Sequence, residues 1–143
     1  MAETQGGKEA LRPTIRAFIL ADEVYIDALT GKKVICGTYN RMWAEEFPSQ
    51  FARATKCYVC LTDCRGDFAL RLQYVDLSNN EVLLESPSVE TKGDDPFQPR
   101  EVIMYVPPLP MPHEGRYSMD VYCGDEMLGS YQVYVAKAEG SSG

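Results

Sequence analysis

The chain has 143 residues, fits one domain by length, and carries a formal net charge of −7. Such a charge, with no local basic cluster, argues against nucleic acid and anionic membrane as partners, because affinity for both rests on Lys and Arg meeting phosphate. No apolar run approaches the roughly 20 residues of a membrane-spanning helix, and Met1 to Ala10 has no apolar core of the kind a secretory signal carries.

Residues 1–13 read as a polar, disordered lead. From there the chain alternates with period two or runs in short apolar stretches, the pattern of strands. Residues 14–20 are dense in Ile and Phe and continue past Ala21-Asp22 into residues 23–27. A turn at Leu29-Thr30-Gly31-Lys32 leads to residues 33–39, predicting a hairpin. Alternation fails from Trp43 to Ala54, where Pro48 interrupts and a loop with one helical turn is expected.

Residues 56–62 and 68–76 read as strands joined through Asp63-Cys64-Arg65-Gly66-Asp67, a hairpin tip. In the second arm Phe68, Leu70, Leu72 and Tyr74 share one face and Arg71 and Gln73 the other. That pattern pins the register, since a slip of one residue would expose the whole apolar set. A turn at residues 78–80 precedes a strand at 81–85, and residues 87–99 read as a long surface loop.

Residues 102–106 are apolar on both faces, which suits a central strand or one that meets a partner. Pro107 to Pro112 holds four prolines, is predicted to stay out of any ladder, and must cross between sheets. Residues 116–123 and 127–135 form a hairpin about Gly124-Asp125, and a flexible tail follows at 138–143. The expectation is an all-β, antiparallel β-sandwich over residues 14–137, immunoglobulin-like, with about eight strands. His113-Glu114-Gly115-Arg116-Tyr117 supplies the local cue for that fold. It resembles a tyrosine corner, in which a Tyr hydroxyl bonds back to backbone a few residues upstream.

No complete catalytic constellation is present. His113 is the single histidine, so a histidine-based hydrolase would have to assemble around it, and no glycine-rich phosphate loop occurs. The five cysteines, an odd number, argue for thiols in a reducing, cytoplasmic compartment rather than for a disulfide framework. Cys57-x2-Cys60-x3-Cys64 has a metal-like spacing, but a strand points Cys57 away from Cys60 and Cys64. The reading is therefore of buried thiols, with no metal and no cofactor. Arg65-Gly66-Asp67 and Pro107-Pro108-Leu109-Pro110 read as a turn and a crossover rather than as recognition motifs.

Two surfaces remain. Ile103, Tyr105, Tyr122 and Tyr134 fall on the faces opposite the core set Met104, Tyr117, Met119, Val121, Tyr131, Val133 and Val135. If their strands are neighbours they make an aromatic row suited to a protein partner or to self-association. The alternative is a calcium- or small-ligand-binding end, with Asp63, Asp67, Asp94, Asp95 and Asp125 gathered at loop tips. An unrecognised enzyme is the third reading. It requires a concave pocket with convergent polar groups.

Ala21-Asp22, Thr30-Gly31-Lys32, Gly37 before Tyr39-Asn40, Pro48, then Gly115-Arg116-Tyr117 and Gly124-Asp125 resemble a bacterial family of uncharacterised small β domains, over about residues 15–136. The resemblance implies an all-β fold and a cytoplasmic context, and assigns no functional residue.

Overall fold

The computed structural model describes residues 13–92 and 95–139. Most of the expected lead and tail lies outside that range. Among the described residues there are twelve strands and no helix. They are β1 (Thr14–Ile26), β2 (Lys33–Thr38), β3 (Arg41–Ala44), β4 (Ser49–Gln50), β5 (Thr55–Thr62), β6 (Phe68–Asp76), β7 (Glu81–Glu85), β8 (Val89–Thr91), β9 (Arg100–Val106), β10 (Pro110–Met111), β11 (Gly115–Cys123) and β12 (Glu126–Lys137). None of these helix-free residues forms a segment able to cross a membrane as a helix.

Two sheets face each other in a sandwich-like arrangement. Sheet A has the order β2-β1-β5-β9; sheet B has β3-β12-β11-β6-β7, with β8 also on β6. Alternation decides what fills the space between them. Sheet A contributes Leu20, Cys57, Val59 and Met104; sheet B contributes Leu70, Leu72, Tyr74, Tyr117, Met119 and Val133, all in one buried cluster. Tyr74 and Tyr117 stack at its centre with ring centroids 5.4 Å apart. The predicted β6 alternation is realised, because Leu70, Leu72 and Tyr74 are buried while Arg71 and Gln73 reach outward to Glu85.

Several expectations are corrected. Residues 43–54 hold no helical turn: β3 joins sheet B parallel to β12, and β4 bridges β10. Met42 and Ala44 face the core and Trp43 faces out, which is strand alternation too short to stand out in the sequence. Residues 56–62 and 68–76 are not a hairpin, since β5 lies in sheet A and β6 in sheet B. Asp63 and Gly66, both at positive φ (58° and 79°), turn the chain from one sheet to the other.

Within the stretch expected to be a loop, β8 pairs with β6, Val89 opposite Leu70. The proline-rich segment does cross between sheets, yet Pro110 and Met111 pair with β4. A proline keeps its carbonyl acceptor: Pro110 receives the Tyr74 hydroxyl at 3.0 Å, and neighbouring Leu109 receives the Phe51 amide at 2.8 Å.

Candidate functional site

The crossover that joins the sheets also separates the four residues expected to form one aromatic row. Ile103 and Tyr105 sit on β9, the edge of sheet A, while Tyr122 and Tyr134 sit on β11 and β12 of sheet B. Outward-facing positions of two opposed sheets lie on opposite sides of a sandwich. The row is therefore two surfaces.

On sheet B, Tyr134 lies between Arg41 and Arg116 in register, with the Arg41 guanidinium 5.2 Å from its ring centre. Tyr122 carries Arg71 over its ring at 4.6 Å, and Arg71 is itself held by Glu85 at 2.6 Å. Between them the Ser118 and Ser130 hydroxyls both donate to one Asp120 oxygen, at 2.5 and 2.6 Å. On this face the Tyr134 and Tyr122 rings and the Asp120 carboxylate already have partners within the chain, while Trp43 stays exposed.

Sheet A differs. β9 pairs only with β5, so the other side of its backbone is open among the described residues. The edge of sheet B formed by β7 and β8, both paired with β6, lies opposite, and between the two edges runs an apolar groove of about 340 Å³. Glu85, Pro87, Val89, Met104, Tyr105 and Pro107 line it. Tyr105, 60 % exposed, stands on its rim. Ile103 points to the outer face, where it packs beside Ala21, Val24 and Tyr58 in a second apolar cluster. Sequence alternation found Tyr105 but missed Val89 and Pro87. Three β residues inside a polar stretch carry too little pattern to announce an edge strand.

A larger, shallow depression of about 570 Å³ lies on the same outer face, bordered by Arg16, Tyr58, Cys60, Gln98 and Glu101. The Tyr58 hydroxyl donates to Glu101 at 2.5 Å, and Lys33 pairs with the same carboxylate at 3.1 Å. Burial and the bond to Glu101 push the Tyr58 phenol well up. The Tyr58 bond and Lys33 hold the Glu101 carboxyl below its usual range. Both groups are committed to each other, which suits structure rather than proton transfer.

His113 lies beside a serine and an aspartate, but in the wrong arrangement for nucleophilic catalysis. Asp76 and Ser78 both meet His113 Nε2, at 2.7 and 3.4 Å, while Nδ1 faces the Glu114 carbonyl at 2.8 Å. A triad needs the acid and the nucleophile on different ring nitrogens. Ser78 instead donates to Asp76 at 2.8 Å and closes the β6–β7 turn. The tyrosine corner is present: the Tyr117 hydroxyl donates to the His113 carbonyl at 2.6 Å and accepts the His113 amide at 3.2 Å.

The turn aspartates Asp63, Asp67, Asp95 and Asp125 share one end of the sandwich, as Leu61 lies opposite Arg100 and Cys123 opposite Leu70. Asp94 lies outside the described residues. Among the described residues no three Asp, Glu, His or Cys side chains converge on a metal position. Asp95 instead accepts the Phe97 amide at 3.0 Å. No disulfide joins the cysteines among the described residues. Cys57 faces the core and Cys60 the outer cluster, as the strand parity predicts. Cys64, placed by parity with Cys60, is carried back into the core beyond the left-handed Asp63.

The fold and its surfaces define an all-β, sandwich-like domain with an edge strand, β9, beside an apolar groove. No curated protein matches the chain. Residues 16–136 match the model of the Family of unknown function (DUF6941), and the chain belongs to that family.

Proposed function

We propose that this chain is a non-catalytic protein-interaction module that receives an extended segment along the open edge of β9. The observation that carries the reading is the conjunction of a seven-residue strand, open along one edge among the described residues, with an apolar groove at its side. Strand addition draws affinity from main-chain hydrogen bonds and specificity from pockets that take alternate side chains. β9 offers the first and the groove the second, while Tyr105 gives rigid amphipathic area at the rim. The absence of a triad at His113 supports a binding role over a hydrolytic one. A reducing, cytoplasmic setting is supported by Cys57 and Cys64, which are fully buried and form no disulfide.

Selection of random short peptides on the immobilised chain at low concentration tests this reading. The expected winners alternate apolar and polar residues, lose binding when proline enters their centre, and lose binding to Tyr105→Ala but not to Tyr134→Ala. Failure to select any peptide, or selection indifferent to Tyr105, would overturn it.

A further inference from the structure

We infer that the strand received by β9 is β9 of a second copy, paired antiparallel about Ile103 to make one continuous eight-stranded sheet from two sheets A. The inference rests on the strand-addition reading above and names its partner.

The sequence of β9, Arg-Glu-Val-Ile-Met-Tyr-Val, is suited to pairing with itself in one direction only. Centred on Ile103, the antiparallel register sets Val102 against the partner's Met104, Glu101 against the partner's Tyr105, and Ile103 against its own copy. Every pair joins residues of the same parity, so outward side chains meet outward ones and open backbone groups meet open backbone groups. Charge agrees with this direction. A parallel pairing would stack Arg100 on Arg100 and Glu101 on Glu101. The antiparallel one holds each like pair apart along the strands, by about 20 Å for Arg100, well beyond the screening length of about 8–10 Å. It also brings the partner's Tyr105 hydroxyl beside the Glu101 carboxylate.

The outer face supports the same partner. Ile103 lies at the border of the apolar cluster formed with Ala17, Ile19, Ile35 and Cys60 around Ala21, Val24 and Tyr58. The twofold joins that cluster to its copy, and the partly buried Ile103 becomes the centre of a strip shared by two chains. The opposing influence is the net charge of −7 on each chain. It repels at long range and is screened by salt, so the dimer is expected to tighten as salt is added.

Light scattering on the purified full chain, from micromolar to millimolar and at low and high salt, is the test. The expected result is a concentration-dependent rise from 16.0 kDa to twice that mass, stronger at high salt, with the β9 amides gaining protection from hydrogen exchange. Tyr105→Glu, at an exposed position, sets a carboxylate against the partner's Glu101 and should weaken the dimer about tenfold or more. Ile103→Lys, checked for folding by circular dichroism, places two ammonium groups on the twofold and should abolish it. A parent that stays monomeric throughout overturns the second-copy inference while leaving peptide selection on β9 intact. A dimer that ignores Tyr105→Glu and leaves β9 exchange unchanged also overturns it. If peptide selection fails as well, the strand-addition reading falls with it.

Discussion

The Tyr117 hydroxyl closes a ring with residue 113, donating to its carbonyl at 2.6 Å and accepting its amide at 3.2 Å. Tyr117 is fully buried and its ring stacks on Tyr74, so the core fixes where the chain enters β11. Tyr117→Phe keeps the stack and removes both hydrogen bonds. The expected loss is about 1–3 kcal/mol, read as a lower urea midpoint with an unchanged slope.

The same corner makes stability depend on pH from both sides. The Glu114 carbonyl and the Asp76 carboxylate raise the His113 pKa. A raised folded value means that the imidazolium's contribution is complete below about pH 6.5 and fades as pH climbs through the raised value. For Asp76, burial raises the carboxyl pKa, but the Ser78 hydroxyl and amide together with His113 outweigh it and the net shift is downward. Its contribution is complete above about pH 3.9 and fades as pH falls through the lowered value. Thermal melts should therefore peak between these limits. His113→Gln should flatten the alkaline limb and leave part of the acid limb, and the partial exposure of His113 keeps the effect modest.

Gly37 has φ +73°, and a Cβ there would stand 2.5 Å from Asp22 Oδ2. Gly37→Ala should destabilise by about 1–2 kcal/mol from the left-handed backbone alone. The Asp22 contact should add to that, because Asp22 is also tied to Arg53 at 2.5 Å. In the Asp22→Ala background the same substitution should cost less, and a double-mutant cycle on thermal stability reads the difference.

Cysteine reactivity should follow burial. Cys36 is exposed on β2, whereas Cys57 and Cys64 are fully buried, and burial pushes both buried thiols up. Iodoacetamide under native conditions should modify Cys36 within the time that leaves Cys57 and Cys64 intact. Peptide mass spectrometry checks the order, and early labelling of Cys57 would contradict its placement.

Trp43, the single tryptophan, is 57 % exposed on the outer face of sheet B. Its emission should be red-shifted and open to iodide quenching in the folded chain. Association through β9 should leave that quenching unchanged. Association through the Tyr134 face should reduce it, because Arg41 and Trp43 share β3 beside Tyr134.

The strands with long alternation were legible residue by residue. Phe68 to Asp76 and Gly115 to Cys123 each carry enough apolar positions to fix face and register. Gly124, at φ +63°, marks the hairpin after β11. Short strands were not legible: β3, β4, β8 and β10 have two to four residues, and their pairing is imposed by neighbours rather than by their own pattern. Tyr105 could be picked out as outward-facing, yet nothing local tells that its strand ends a sheet.

The sequence by itself determined which side chains face in, because side-chain direction along a strand is set by a period of two. It also marked the turns at Gly31, Gly66 and Gly124, because positive φ is open to few residue types. Only the tertiary structure decided which strands are neighbours, since backbone hydrogen bonding is the same for every pairing. That decision divided Ile103 and Tyr105 from Tyr122 and Tyr134 and left β9 open at an edge. It also set Pro87 and Val89 across a groove from Tyr105, a contact between two sheets that no local spacing encodes.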